Sequence, residues 1–193
     1  MVPIEIEIPE HIQWTNDELY EFCTTNRNLK VERTTEGTIL IMSPAGGYSS
    51  SSNAEIGADF VIWNRKVKKG KVFDSSSGFI LPSGAMKGPD VAWVSRDRWD
   101  ALTEEERIKF PPLCPDFVLE LRSATDRLSK LQDKMQEWLD NGCRMAWLID
   151  PIDQKSYIYR PGKEPQIVEG MHRILSGDDV LEGFELDLSV LEV

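Results

Sequence analysis

The stretch from Pro115 to Asp150 constrains the fold most, because it predicts a strand, a helix and a second strand in succession. The first strand runs from Phe117 to Arg122. Side chains alternate along a strand, so Glu120 lies on the face opposite to Leu119 and Leu121. A buried carboxylate without a partner costs several kcal/mol or changes its pKa. Glu120 is therefore the first candidate for a functional residue.

The helix and second strand of this stretch have equally clear patterns. Apolar residues recur at helical spacing at Leu128, Leu131, Met135, Trp138 and Leu139. Thr125 or Asp126 can cap the N-terminus of this helix, and Gly142 suits the position after its C-terminal cap. The apolar run from Met145 to Ile149 is typical of a central strand covered on both faces. We therefore expect an α/β fold, in which a central mixed sheet is flanked by helices.

The N-terminal part of the chain predicts a strand, a helix and a hairpin ahead of this unit. Val2 to Ile8 alternates isoleucine with glutamate, as in an edge strand. Thr15 and Glu18 form a capping box that begins a helix. The segments 29–33 and 37–42 predict the two strands of a hairpin.

The middle of the chain predicts a loop, a long helix and a basic segment. The serine-rich residues 43–52 predict the loop, and the helix follows from about Asn53 to Val67. The one dense basic run consists of Arg65, Lys66, Lys68, Lys69 and Lys71. This run either contacts phosphates or is a solvated helix end, where cations suit the helix dipole. Further on, residues 82–88 predict a turn-rich loop, and Thr103 with Glu106 forms a second capping box.

Composition limits the classes of protein to which the chain can belong. Its 193 residues are the size of one domain, which we take as residues 1–193. No apolar run approaches the ~20 residues that cross a membrane, and the N-terminus lacks a signal-peptide pattern. The net charge of −11 argues against tight binding of nucleic acid by bulk electrostatics, although local positive charge remains sufficient for a nuclease.

Cysteine and histidine usage narrows the chemistry further. Cys23, Cys114 and Cys143 have no metal-binding spacing, which indicates a reducing cytoplasm and argues against a structural zinc site. His11 and His172 are far apart and lie in no recognisable catalytic context. A catalytic triad built on histidine is therefore disfavoured.

Several segments together carry a resemblance to a known family. Pro89-Asp90 precedes an apolar strand, and Glu120 follows 30 residues later in the sequence Glu-Leu-Arg. The ordered segments GPDVAWVS, PDFVLEL, DKMQEWLDNG and AWLIDP resemble a large family of predicted restriction endonucleases that is abundant in cyanobacteria. That family, once a domain of unknown function, belongs to the PD-(D/E)XK nuclease superfamily. The resemblance implies a restriction-endonuclease-like core with an N-terminal helix and hairpin.

The resemblance also implies a metal site. Asp90 and Glu120, on neighbouring strands, would bind Mg²⁺ or Mn²⁺ together with the backbone carbonyl of Leu121. Mg²⁺ prefers oxygen ligands and keeps several waters, so two carboxylates and a carbonyl suffice. Carboxylates held close together repel each other, so one of their pKa values should rise in the absence of metal. The alternatives are a turn aspartate at Asp90 and a salt bridge from Glu120 to Arg122 or to a neighbouring strand.

The chain departs from the superfamily pattern at Arg122, where lysine is usual. Arginine stays protonated and cannot act as a general base, but it can bind phosphate. Members of the family commonly carry the lysine on the next helix, which Lys134 matches; Gln132 is a weaker candidate nearby. The alternative for Lys134 is a side chain that extends to solvent at the rim of the helix. Glu55 is a candidate auxiliary acid, against the favoured alternative of an exposed glutamate at a helix start.

These observations predict a cytoplasmic Mg²⁺-dependent endonuclease that acts on DNA, without a membrane segment. Cleavage of both strands would imply a homodimer by analogy. The second hypothesis is a catalytically weak or inactive member that acts as an interaction module. The net charge and Arg122 favour the second hypothesis, whereas Asp90, Glu120 and Lys134 favour the first.

Overall fold

The computed structural model of the chain describes residues 3–9 and 12–191. Its first half contains β1 (Ile4–Ile6), α1 (Asn16–Thr25), β2 (Lys30–Arg33), β3 (Ile39–Met42), α2 (Gly47–Val67), β4 (Gly70–Phe73), β5 (Phe79–Ile80), β6 (Met86–Lys87) and β7 (Val91–Ser95). Its second half contains α3 (Arg96–Asp100), α4 (Glu104–Ile108), β8 (Phe117–Leu121), α5 (Leu128–Asp140), β9 (Met145–Asp150), β10 (Lys155–Tyr159), β11 (Gln166–Glu169), β12 (Ile174–Ser176) and β13 (Glu185–Asp187). A 3₁₀ turn follows at Leu188–Leu191.

The larger sheet has the strand order β11-β10-β9-β8-β7-β4. Strands β8 and β9 are parallel, and the other neighbours are antiparallel, so the sheet is mixed as predicted. The parallel pair is joined by α5, because parallel neighbours need a crossover. Every residue of β9 is buried, which confirms the prediction of a central strand covered on both faces.

Helices α2 and α5 cover opposite faces of this sheet. Phe60 of α2 packs in one apolar cluster with Phe117 and Leu119 of β8. Met135 of α5 packs in another cluster with Val118, which lies between Phe117 and Leu119 in β8. The alternation of β8 therefore directs Glu120 toward the α5 face, away from α2.

The smaller sheet has the strand order β1-β3-β2-β6-β5. It contains the predicted hairpin of β2 and β3, with β1 at its edge; Val2, at the start of the predicted edge strand, lies outside the described residues, as does His11. Strand β2 also pairs with β6 through Arg33 and Met86. This pairing brings the N-terminal hairpin beside the segment that leads into Asp90.

Helix α2 begins at Gly47, so the prediction of a loop over residues 43–52 is wrong for 47–52. Serine has modest helix propensity because its side chain competes for backbone hydrogen bonds. Here tertiary contacts override that preference. The Tyr48 hydroxyl donates to the carbonyl of Leu191, and Ser52 is buried.

Two further expectations need correction. The N-cap of α5 is Arg127 rather than Thr125 or Asp126, because the Asp126 carboxylate instead accepts from the backbone N–H of Ser123. The loop predicted over residues 82–88 contains β6, which pairs with β5 in a short hairpin. By contrast, the capping boxes of α1 and α4 are confirmed. Gly142 is also confirmed after the cap of α5, with a φ of 102°.

Candidate functional site

The pairing of β7 with β8 brings Asp90 and Glu120 to one end of the larger sheet. Val91 is opposite Leu119, so Asp90 comes next to Glu120. The Asp90 carboxylate accepts a hydrogen bond of 2.9 Å from the backbone N–H of Leu121. Because the N–H and carbonyl of a strand residue point to the same neighbouring strand, the Leu121 carbonyl also points toward Asp90. The predicted carboxylates and carbonyl therefore lie together.

Glu120 is buried among donors and charges, with 5% of its surface exposed. Its Oε1 lies 2.9 Å from Nζ of Lys134 and accepts a hydrogen bond of 3.3 Å from the Trp138 indole. Burial raises the pKa of Glu120 to about 7, with further increases from the charges of Asp90 and Glu32 and an opposing effect from Lys134. The partner of Glu120 is thus Lys134, and the alternative of a salt bridge to Arg122 is wrong.

Lys134 has a partner for each of the three hydrogens of its ammonium group. Nζ lies 2.9 Å from Oε1 of Glu120, 2.9 Å from Oε1 of Glu32 and 3.1 Å from the carbonyl of Gly88. The side chain is 15% exposed, so the alternative of a lysine that extends to solvent is wrong. Burial lowers the pKa of Lys134, but the charges of Glu120 and Glu32 outweigh it and raise the pKa overall. The two carboxylates therefore favour the protonated ammonium of Lys134.

Glu32 is a member of this site that the sequence analysis missed. It lies on β2 with 2% of its surface exposed and accepts from Lys134 and from the backbone N–H of Gly88 at 3.2 Å. Burial raises its pKa, but the charges of Lys134 and Lys87 outweigh burial and lower the pKa overall. The one signal for Glu32 in the sequence is a glutamate within a predicted hairpin strand. Such a glutamate is equally typical of an exposed position.

Lys87 extends the network and was also missed, because its segment was predicted to be a loop. Its Nζ lies 3.7 Å from Glu32 and 3.1 Å from Glu137 of α5. The cluster has alternating charge, and its members are Glu120, Lys134, Glu32, Lys87 and Glu137. With Asp90 included and every group ionised, two negative charges are in excess.

The donor set fits a hard divalent cation. Within residues 3–9 and 12–191, no three side chains of His, Cys, Asp or Glu are arranged to hold a metal ion. The site instead offers the carboxylates of Asp90 and Glu120 and the carbonyl of Leu121. This set suits Mg²⁺, which is bound by one or two carboxylates and keeps several waters. The excess negative charge is of the magnitude that such an ion would neutralise.

Arg122 belongs to a separate group of charges at the end of β9. Its Nη1 lies 2.6 Å from Asp150 and 2.9 Å from Asp153, and its Nε donates to the carbonyl of Asp126 at 3.4 Å. Asp150 is fully buried. The structure therefore pairs Arg122 with these aspartates and does not bring its guanidinium to Glu120.

The auxiliary candidates lie outside the charged cluster. Glu55 is exposed on α2, which covers the face of the sheet opposite to Glu120. Gln132 is partly buried on α5, two residues before Lys134, and helical residues at this spacing do not face the same way.

The basic run lies at the other end of the larger sheet. Lys71 pairs with Val94 in the ladder between β4 and β7, and Gly70 pairs with Ser95. Asp90 precedes Ser95 by five residues, which at about 3.3 Å per residue is about 17 Å. The side chains of the run are exposed at Arg65, Lys66, Lys68, Lys69 and Lys71, and Lys69 forms an ion pair with Glu182. The structure does not bring the run to Asp90 and Glu120.

Comparison with known proteins agrees with this architecture. The chain is similar to the crystal structure of a "putative nuclease belonging to DUF820" from Anabaena variabilis, with a TM-score of 0.72 and 19% identity. The match covers 93% of this chain and 97% of that chain, and at this identity it establishes the fold. No curated protein matches the chain significantly. No helix in the described part of the chain is long and apolar enough to cross a membrane.

A family model covers most of the sequence. Residues 16–189 match the model described as "Uma2: Putative restriction endonuclease". The matched range begins at α1 and continues through β13, so it includes the hairpin with Glu32 as well as Asp90, Glu120 and Lys134. The protein therefore belongs to the Uma2 family of restriction-endonuclease-like proteins.

Proposed function

We propose that the protein is a metal-dependent endonuclease that hydrolyses phosphodiester bonds in DNA. The observation that carries this proposal is the position of the Lys134 ammonium, which lies 2.9 Å from Glu120 beside Asp90. Two carboxylates, a carbonyl and a fixed cation at one end of a mixed sheet are what phosphodiester hydrolysis requires. The family match supports the same class of substrate.

The residues that would hold Mg²⁺ or Mn²⁺ are Asp90, Glu120 and Leu121, the last through its carbonyl. When bound, the ion lowers the pKa of water and neutralises charge on the phosphate. Trp138 and Lys134 both contact Oε1 of Glu120 and so hold its carboxylate at the end of the sheet where Asp90 lies. The backbone N–H of Leu121 orients the Asp90 carboxylate toward the same place.

Lys134 supplies a positive charge where negative charge develops on the reacting phosphate. Preorganised charges in a partly buried site act more strongly than the same charges in water. Glu120 and Glu32 raise the pKa of Lys134, which favours the charged ammonium that this role requires. We assign contacts with the DNA backbone to the basic run, and we retain phosphate binding as a proposed role for Arg122. The free thiols of Cys23, Cys114 and Cys143 support a cytoplasmic location. Cleavage of both DNA strands would suggest a homodimer by analogy.

Nicking of supercoiled plasmid with Mg²⁺ or Mn²⁺ tests the proposal. Wild type should nick, and Asp90→Ala and Glu120→Gln should lose activity by about 100-fold or more. Glu185→Gln, which neutralises an exposed carboxylate on β13, is the matched control and should nick like wild type. If folded wild type fails to nick plasmid with every divalent metal tested, the endonuclease proposal is wrong and the interaction module takes its place.

A further inference from the structure

We propose that Glu32 is a positioning residue that holds the Lys134 ammonium against Glu120, so that the N-terminal hairpin completes the active centre. This inference rests on the proposed function, since it concerns the residue that would stabilise charge on the phosphate. Its basis is the geometry of one carboxylate oxygen. Oε1 of Glu32 binds both the Lys134 ammonium at 2.9 Å and the backbone N–H of Gly88 at 3.2 Å.

The backbone of Gly88 bridges Glu32 and Lys134. Its N–H donates to Glu32, and its carbonyl accepts from Lys134. A Cβ atom at Gly88 would lie 2.6 Å from the carbonyl oxygen of Ser77, so a side chain cannot fit without movement of the backbone. Gly88 is followed by Pro89 and Asp90. The contact with Glu32 thus fixes the lysine and also the segment that carries a proposed metal ligand.

Two fixed partners direct the third hydrogen of the ammonium. A lysine has a flexible four-carbon stem, so a single ion pair with Glu120 would leave its amine free to swing. Glu32 and Gly88 bind the ammonium from the side of the smaller sheet, which leaves the remaining N–H for Glu120. Lys87, 3.7 Å from the other oxygen of Glu32, helps to keep this buried carboxylate ionised.

A purely structural role for Glu32, as part of the contact between the two sheets, predicts different results from a positioning role. Glu32→Gln distinguishes them, because it removes the charge yet keeps an oxygen that can accept from Gly88. A positioning role predicts that the Lys134 ammonium becomes mobile and that kcat falls while KM stays near the wild-type value. Loss of a residue that orients a reacting group typically costs about 10- to 100-fold in activity.

The first experiment is NMR of the lysine ammonium groups in the full chain. Lys134→Met identifies the Lys134 signal by its disappearance. In wild type this signal should be sharp, because all three hydrogens are bonded, and in Glu32→Gln it should broaden through exchange with water. Glu21→Gln, an exposed carboxylate on α1, is the control and should leave the signal unchanged. An unchanged signal in Glu32→Gln would overturn the inference whatever the activity.

The second experiment measures plasmid nicking at equal folded fraction. Glu32→Gln should lower kcat by about 10-fold or more with little change in KM. It should have no further effect on kcat in a Lys134→Met background, because residues that act through one another are not additive. A loss of kcat in that background equal to the loss in the wild-type background would overturn the inference.

If Glu32→Gln does not fold, Glu32→Asp takes its place, because it keeps the charge but withdraws it by one methylene. If wild type never nicks, the proposed function fails, and the ammonium signal alone decides whether Glu32 holds Lys134.

Discussion

The Lys134 ammonium and the Glu32 carboxylate lie 2.9 Å apart, although 102 residues separate them along the chain. Glu32 belongs to the smaller sheet, whereas Lys134 lies on the helix that covers the larger one. The candidate site therefore forms only when the two sheets are packed together. Its integrity should be sensitive to substitutions in the N-terminal hairpin as well as in the strand–helix–strand unit.

Lys134→Met should lower both stability and activity. From sequence alone, with Lys134 at a helix rim, this substitution would change stability little. The structure instead predicts that two buried carboxylates lose the cation they share, at a cost of about 3–5 kcal/mol in the free energy of unfolding. Nicking should fall by about 100-fold or more. Urea unfolding and nicking measure both effects.

Lys130→Met is the matched control for Lys134→Met, because Lys130 lies one turn earlier on α5 with a side chain that is 78% exposed. Its ion pair with Asp133, at 3.9 Å, is exposed and should contribute less than about 1 kcal/mol. Equal stability of the Lys130 and Lys134 variants would contradict the buried network.

The stability of the protein should depend on the ionisation of Glu120. Folding raises the pKa of this carboxyl from 4.5 to about 7, so the folded state binds the proton more tightly than the unfolded state. The resulting stabilisation is complete below pH 4.5 and is lost as the pH rises to about 7. The free energy of unfolding of wild type should therefore decrease relative to Glu120→Gln over this window, by roughly 3 kcal/mol.

Urea unfolding of both proteins at several pH values from 4 to 8, without divalent metal, measures this difference. Other carboxylates titrate in both proteins, so the difference between them isolates Glu120. A difference that stays constant with pH would show that the pKa of Glu120 is ordinary.

Metal affinity should increase with pH over the same range. A carboxylate must lose its proton before it binds a cation, so the affinity for Mg²⁺ should rise about 10-fold per pH unit below pH 7 and level off above it. Asp90→Ala should abolish the binding. Calorimetric titration of wild type and of Asp90→Ala at pH 6, 7 and 8 provides the measurement. Equal affinity of the two proteins would contradict the assigned ligands.

Much of the fold and part of the site could be predicted from sequence because local patterns determine them. The apolar stripe of α5 and the run of β9 define a strand–helix–strand unit, and that unit places Glu120 beside α5. Lys134, on the same helix, is a candidate through the family resemblance. The resemblance of the ordered segments then gave Asp90 and Glu120 as partners, and the register of β7 with β8 brings them side by side.

The remaining members of the site depend on contacts between distant segments. Glu32 lies in a hairpin strand, and the alternation of side chains along this strand does not show whether its glutamate is buried or exposed. Contacts with β6 and α5 bury it. Lys87 lies in a two-residue strand that exists through its pairing with β5. Likewise, the first turns of α2 are serine-rich, which disfavours a helix, but they are helical because they contact the C-terminal segment. Tertiary packing, rather than propensity, determines each of these features.

Arg122→Met should destabilise the protein more than it impairs the reaction. Its guanidinium lies 2.6 Å from Asp150, a residue with 0% exposure, so its removal leaves a buried carboxylate with one fewer cation. Loss of one partner of a buried pair costs about 3–5 kcal/mol. The pair of Arg160 and Asp178 offers a control, because the side chain of Asp178 is 46% exposed and that of Asp150 is fully buried, so Arg160→Met should cost less.

Thermal or urea unfolding gives the stability of both arginine variants, and nicking at equal folded fraction gives their activity. If Arg122→Met keeps its stability but loses substrate affinity, the phosphate-binding role predicted from sequence is supported, and the ion pairs with Asp150 and Asp153 are of minor importance.

The last prediction concerns the basic run and its role in DNA binding. Arg65 and Lys66 are the most suitable positions, because Lys68 has a left-handed backbone with a φ of 57° and Lys69 is paired with Glu182. Each phosphate contact adds about 0.9 to the slope of log affinity against log salt concentration. Replacement of both residues by glutamine should therefore flatten the slope by about 1.8 if each contacts a phosphate.

Binding is measured in a Glu120→Gln background, so that the DNA stays intact across the salt series. The control carries glutamine at Lys163 and Arg173, two exposed basic residues elsewhere on the chain, so that the net charge changes equally. Equal flattening in both proteins would indicate an effect of net charge alone. An unchanged slope in the Arg65 and Lys66 variant would make the run a solvated helix end, and contacts with DNA would then have to lie at the Asp90 end of the sheet. A flattened slope specific to the run would mean that DNA reaches from Asp90 along β7 to the opposite end of the larger sheet.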